Sequence, residues 1–170
     1  MPAAIKAYMR YVYLINRTVG RLTMYLIFVM MGILLFSTIS RTVFDTPHVW
    51  VIEMAQFTMA AYYLLGGGYT MQLGAHVRMD VLYDRWTPKR RAFTDSITAF
   101  CLIFYLVVLL YGGLSSTEYA LEYGQKNYSA WAPPMAPIKI IMTIGIFLML
   151  LQAIAIFFKD LAAARDKNLP

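Results

Sequence analysis

The sequence predicts an all-α integral membrane protein with four transmembrane helices. Of its 170 residues, 60% are hydrophobic and only 14% are charged, and the mean hydropathy is +0.57. A soluble domain of this size needs more polar residues to cover its surface. Four stretches have charge-free cores of 19 to 22 residues, close to the roughly 20 that a helix needs to cross about 30 Å of hydrocarbon. The predicted spans are about 22–40, 51–75, 94–117 and 138–158, in a single domain over 1–170.

The basic residues fall mainly on one side of the predicted spans. Of the 15 Lys and Arg residues, 12 precede span one, lie between spans two and three, or follow span four. The other side holds only Arg41, Lys126 and Lys139. The positive-inside rule therefore predicts that both termini are cytoplasmic (N-in/C-in) and that loops one and three lie outside. Because the net charge of +6 is distributed in this way, no basic patch remains for a nucleic-acid site.

Two segments beside the spans have the pattern of amphipathic helices that lie on a membrane. In residues 5–21, apolar and cationic side chains form separate stripes at helical spacing. Such a helix places its apolar face at the lipid headgroups and its cations near anionic lipid; a solvated leader is the alternative. Residues 78–87 show a similar apolar face. Thr87 and Pro88 then predict the N-cap and first residue of the third spanning helix.

No constellation in the sequence points to catalysis, a metal or a cofactor. The two histidines, His48 and His76, are 28 residues apart, about 42 Å along a helix, so they cannot ligate one haem iron together. His76, Arg78 and Asp80 would fan over about 200° on a helix, and a metal site needs more ligands and no cation among them. We expect these three residues to fix the turn at which span two leaves the membrane.

Span two carries a face of small residues. Ala60, Gly67 and Gly74 recur at seven-residue intervals and therefore share one side of the helix. In lipid, such a face lets a neighbouring backbone approach closely. We expect this face to pack against another subunit.

Glu53 is the ionisable residue closest to the interior of a span. It lies three residues after Trp50, at the predicted outer end of span two. Two roles remain open, namely an ion pair with Arg41 across the short first loop and the positioning of a partner subunit. Transport pathways are normally marked by ionisable groups within the spans. The charge-free cores therefore indicate a chain poorly equipped to transport anything alone.

The predicted outer loop between spans three and four is stiff and aromatic. The stretch GQKNYSAWAPPMAPIK contains Tyr128, Trp131 and three prolines. It could dock a partner or anchor at the membrane interface, and both interpretations stay open. Glu118 and Glu122 are expected to carry the preceding helix beyond the membrane toward Gly124.

The ordered residues from about 40 to 91 resemble the small membrane subunit, or Q component, of tripartite ATP-independent periplasmic (TRAP) transporters. In that family a Trp and a Glu open span two. A Gly-containing run, a His–basic–Asp sequence at the inner end and a Pro-containing basic loop follow. The corresponding residues here are Trp50, Glu53, Gly67, His76, Arg78, Asp80 and Pro88. The four-span layout extends the resemblance along nearly the whole chain.

The resemblance implies a non-enzymatic protein of the bacterial inner membrane that binds a large multi-span transport subunit. That subunit would hold the sodium and substrate sites. A periplasmic solute-binding protein would deliver an organic acid of the dicarboxylate, keto acid or sialic acid class. The small subunit would act as a scaffold, and Glu118, Glu122, Tyr128 and Trp131 would face the binding protein.

The residues expected at structural or subunit contacts lie at the ends and on the small-residue face of span two. They are Arg41, Trp50, Glu53, Ala60, Gly67, Gly74, His76, Arg78 and Asp80. Two rival functions remain: a self-sufficient dimeric exporter that uses Glu53 as a proton-coupled site, and a membrane assembly factor with no transport role.

Overall fold

The computed structural model describes residues 3–73 and 88–166, with side chains described for 5–73 and 97–159. This part of the chain forms five α-helices: α1 (Ala3–Met24), α2 (Leu26–Val43), α3 (Trp50–Gln72), α4 (Pro88–Glu122) and α5 (Ala136–Asp166). Loops and one isolated antiparallel bridge, Lys126 to Pro134, account for the other described residues. The predicted all-α class is confirmed for this part of the chain, and α4 begins at the predicted Pro88.

Three segments of the described chain are long and apolar enough to cross a membrane: Ile5–Val43, Ile97–Glu122 and Ala136–Lys159. They overlap the predicted first, third and fourth spans. The helix of the predicted second span, α3, is not among them, although its 23 residues extend over about 35 Å. It contains Glu53, two glutamines and three glycines, which lower its hydropathy. The fourth crossing and the orientation of the termini stay predictions.

The helices α3 and α5 form the centre of the molecule. Helix α3 packs against α1, α2 and α5, and α5 packs against α1, α3 and α4. The two central helices approach closely at Gly145, where a Cβ would lie 2.8 Å from the backbone carbonyl of Leu64. The order across the molecule is therefore α2, α3, α5, α4, with α1 packed on both central helices. A central helix surrounded by protein does not need a continuous apolar surface, which explains the composition of α3.

Burial is concentrated in the centre, and the outer helices are exposed. The core cluster consists of Met71 of α3, Leu106 of α4, and Leu150 and Ala153 of α5. Only 6% of the most apolar window of Ile5–Val43, and 6% of that in α4, is buried inside the protein, against 39% in α5. The side chains of α2 and α4 therefore present large apolar surfaces that lipid or another protein must cover.

Helices α1 and α2 follow one another with only Tyr25 between them. The Tyr25 N–H donates to the Leu22 carbonyl at 3.1 Å, and its φ and ψ of −71° and −19° are still helical. The break is therefore slight. It falls three residues after the boundary expected between the amphipathic segment and span one.

Candidate functional site

The turn between α2 and α3 is held by a cluster around Ser40. The Ser40 hydroxyl lies 3.0 Å from the Thr46 hydroxyl and 3.0 Å from Nε2 of His48. The His48 ring stacks on Phe36 at a centroid distance of 5.4 Å, and the Trp50 ring lies 6.1 Å from both. Trp50, expected at a structural or subunit contact, is thus fixed by contacts within the chain.

Glu53 is a buried carboxylate in the first turn of α3. Its side chain is 6% exposed, and Oε2 accepts no hydrogen bond from any described group. Arg41 is exposed on the last turn of α2, so the ion pair considered from the sequence does not form. The unpaired N–H groups and the dipole at the start of a helix favour a negative charge there. No further charged residue occurs in 54–75, so no series of charged side chains continues along α3.

One residue of the small-residue face of α3, Gly67, packs within the chain. Gly67 is buried, and a Cβ there would lie 2.6 Å from the sulfur of Met149 on α5. Ala60 is half-buried. At Gly67 the expected contact with another subunit is therefore replaced by a contact with α5, because the glycine is what lets Met149 pack on the α3 backbone.

A buried polar cluster joins α1 to both central helices. Asn16 is 1% exposed and Gln152 is 3% exposed. Asn16 Nδ2 donates to Gln152 Oε1 at 3.0 Å and to the Leu148 carbonyl at 3.4 Å. Asn16 Oδ1 has no described partner and would lie 2.4 Å from a Cβ at Gly68. The sequence patterns considered above do not predict this cluster. The signal was the isolated polar Gln152 within the apolar stretch 140–158, because polar residues in spans face protein.

The apolar stripe of α1 also contacts protein. The Tyr8 hydroxyl donates to the Leu151 carbonyl at 3.1 Å, and Val12 is 4% exposed. Both residues belong to the stripe that the sequence predicts at the lipid headgroups. At these two positions the stripe therefore packs at least partly against protein.

The loop between α4 and α5 is an ordered hairpin. The Met135 N–H donates to the Gln125 carbonyl at 2.9 Å, and the Asn127 N–H donates to the Pro133 carbonyl at 3.0 Å. Gly124, with a φ of +56°, provides the left-handed residue that lets the chain leave α4 at this point. We call residues 125–135 the outer hairpin, after the outer location that the sequence predicts for this loop.

The outer hairpin presents aromatic side chains at its tip. Tyr128 is fully exposed and Trp131 is 44% exposed. Glu118 and Glu122 are exposed on the last turns of α4, next to the hairpin in the chain. These four residues are therefore accessible to a partner. Nothing in the geometry by itself selects docking over anchoring at the membrane interface.

Several predicted residues lie outside the part of the chain that the structure describes. They are Gly74, His76, Arg78 and Asp80, together with the rest of the predicted surface helix 78–87. Within the described residues, no group of three or more His, Cys, Asp or Glu side chains is placed to hold a metal ion.

Fold and site together define a helical membrane protein whose buried polar groups connect its own helices. A sequence model of the tripartite ATP-independent periplasmic transporters, DctQ component, matches residues 30–163. Since the match covers most of the chain, the protein belongs to this family of small TRAP transporter membrane subunits, which confirms the resemblance seen in the sequence. The comparison with curated proteins gave no match.

Family membership indicates the type of complex and the membrane to which the chain belongs. The DctQ component is part of a transporter, not an enzyme family. Its members work in general with a large TRAP subunit and a periplasmic binding protein. Together with the membrane-spanning helices, this points to the bacterial inner membrane.

Proposed function

We propose that the chain is the scaffold subunit of a TRAP transporter that imports an organic acid with sodium. In this proposal it binds the large transport subunit and enlarges the static part of the complex while the partner's mobile domain moves. The supporting observation is the exposure of α2 and α4, whose spanning windows are only 6% buried within this chain. Two broad apolar faces on opposite edges suit a subunit that packs laterally in the membrane.

The distribution of charge supports the proposal that the large subunit, and not this chain, carries the transport sites. Glu53 is the one charged side chain among the described buried residues, and no Asp, Glu, Lys, Arg or His follows it in 54–75. A substrate anion or a sodium ion would meet no charged side chain beyond Glu53 along α3. The transport sites therefore belong to the large subunit.

The outer hairpin would help receive the binding protein that carries the organic acid. Its backbone is fixed by the hydrogen bonds of Gln125 and Asn127, so docking would cost little ordering entropy. Tyr and Trp are the residues that most often dominate binding energy at interfaces. Tyr128 and Trp131 are thus suited to this contact.

Reconstitution into liposomes tests the proposed function. This chain alone, the large subunit alone, and both together would each be combined with the binding protein, a radiolabelled organic acid and an inward sodium gradient. We expect uptake only when both membrane subunits and the binding protein are present. Equal uptake by the large subunit without this chain would refute the scaffold role and favour an assembly factor.

The exporter alternative has one specific observation in its favour, the buried carboxylate of Glu53, whose Oε2 has no described hydrogen-bond partner. It requires transport by the purified chain alone, abolished by Glu53→Gln. The liposomes that contain only this chain decide between the two functions. Activity there would replace the scaffold proposal with a self-sufficient transporter.

A further inference from the structure

A cavity of about 410 Å³ lies between α4 and α5, and its walls include no residue of α3. Its volume falls in the range of about 300–1,000 Å³ that small-molecule sites occupy. Its walls include Tyr105, Gly112 and Ser116 of α4, and Lys139, Met142 and Ile146 of α5. A Cβ at Gly112 would have no atom within 4 Å, so the glycine leaves the cavity open along the α4 backbone.

Apart from the Tyr105 hydroxyl, the polar side chains of this cavity are gathered at one end. Ser116, Lys139 and Thr143 lie near the outer hairpin, whereas Met142, Ile146 and the ring of Tyr105 make the remainder largely apolar. The Thr143 hydroxyl is already engaged with Thr117 at 3.0 Å and with its own helix. The cavity is therefore amphipathic, with Lys139 as its only charged wall residue.

Lys139 retains hydrogen-bonding capacity. Its Nζ donates to the Ser116 carbonyl at 3.2 Å and to Gln125 Oε1. An ammonium group has three N–H donors, and no described residue accepts the third. Both of its acceptors are neutral, so its positive charge is not balanced by any described carboxylate. An anion at the mouth of the cavity would accept the third hydrogen bond of Lys139 and balance its positive charge.

The length of the cavity matches one leaflet of a bilayer. From Tyr105 to Ser116 the wall covers eleven helical steps, about 16 Å at 1.5 Å per residue. The hydrocarbon of a whole bilayer is about 30 Å thick. A partner helix would extend through both leaflets, whereas an acyl chain occupies one and ends at a charged headgroup.

We propose that this cavity binds a phospholipid, with an acyl chain between α4 and α5 and the phosphodiester at Lys139. The lipid would fill the gap left by Gly112 and supply the anion that Lys139 lacks. This site is independent of the transport role, because it needs neither the large subunit nor the binding protein.

Two variants with matched controls test the proposal. Gly112→Leu places a side chain into the cavity, and the control Gly32→Leu adds the same side chain on the exposed face of α2, where a Cβ also meets no atom within 4 Å. Lys139→Gln removes the cation, and Lys126→Gln removes an exposed cation of the outer hairpin. Lys139→Arg preserves the charge and should retain binding.

The measurement is native mass spectrometry of the full chain in detergent, with any subunit that co-purifies, titrated with phosphatidylglycerol. We expect Gly112→Leu and Lys139→Gln to weaken binding of one lipid about tenfold, a change of about 1.4 kcal/mol, and both controls to leave it unchanged. Equal binding in all variants would overturn the proposal. So would a Gly112→Leu variant that loses a protein subunit while its lipid binding is unaffected, because a helix would then occupy the cavity.

Discussion

Asn16 of α1 donates a hydrogen bond to Gln152 of α5 at 3.0 Å, across 136 positions of the sequence. Both side chains are buried, and the bond ties the N-terminal helix to the centre of the molecule. The segment that the sequence predicts on the membrane surface is thus also part of the packed protein. Any motion of α1 relative to α5 must break this contact.

Removal of either partner should destabilise the chain. We expect Asn16→Ala or Gln152→Ala to lower the free energy of unfolding in detergent by about 1–3 kcal/mol, since each leaves a buried polar group without its partner. The coupling in the double variant should be about 0.6–1.7 kcal/mol. Thr38→Ala is the control, because the Thr38 hydroxyl bonds only within α2. Strictly additive single effects would show that the two side chains do not interact.

Two glycines should respond to the same substitution with opposite signs. Gly145→Ala places a Cβ 2.8 Å from the Leu64 carbonyl, whereas Gly32→Ala meets no atom within 4 Å. A backbone contact cannot rotate away, so we expect Gly145→Ala to cost about 1–3 kcal/mol of unfolding free energy. Gly32→Ala should stabilise by up to about 1 kcal/mol through helix propensity. Thermal unfolding in detergent measures both, and equal effects would contradict the close approach of α3 and α5.

Substitutions at the tip of the outer hairpin should weaken docking of the binding protein without affecting assembly with the large subunit. We expect Tyr128→Ser and Trp131→Ala each to weaken the affinity of the binding protein for the reconstituted complex about tenfold, or about 1.4 kcal/mol. Co-purification with the large subunit should be unchanged. Tyr111→Ala, at an exposed position of α4, is the control. Unaltered affinity in both hairpin variants would assign the aromatic residues to membrane anchoring.

Neutralisation of Glu53 should show whether this residue affects only the stability of the chain or also transport. Glu53→Gln removes a charge that is buried without a hydrogen bond at Oε2, and an amide costs less to bury than an unpaired carboxylate. We expect unchanged or higher thermal stability and preserved sodium-driven uptake by the complete complex. Asp45→Asn, at an exposed position of the turn between α2 and α3, serves as the control. Loss of uptake in Glu53→Gln alone would give this residue a direct part in transport.

Much of the helical layout follows from local pattern. The stretches around 22–40, 94–117 and 138–158 overlap segments long and apolar enough to span a membrane, because the length of an apolar run is a local property. Pro88 begins α4 as expected, since proline lacks the N–H that a first helical position leaves unpaired. The Trp50 to Pro88 motif order was sufficient to indicate the family that the comparison later matched.

Local sequence patterns could not predict which helices pack against each other. Gly67 has the spacing of a contact face, but only the fold shows that the contact is Met149 of the same chain. The Arg41 and Glu53 pair was plausible from the loop length, yet Arg41 is exposed and Glu53 is buried. Asn16 and Gln152 are too far apart in sequence for any local pattern to connect them.

The amino-acid sequence alone indicates an apolar, helical membrane protein of the TRAP small-subunit type. Hydropathy, charge distribution and motif order can be read from neighbouring residues without knowledge of the fold. Only the tertiary structure decided which faces are buried. It shows α3 and α5 at the centre, α2 and α4 at the edges, and an amphipathic cavity beside Lys139. A helix that spans a membrane is largely apolar on every side, so hydrophobicity alone cannot select its neighbours; close packing and a few polar contacts do.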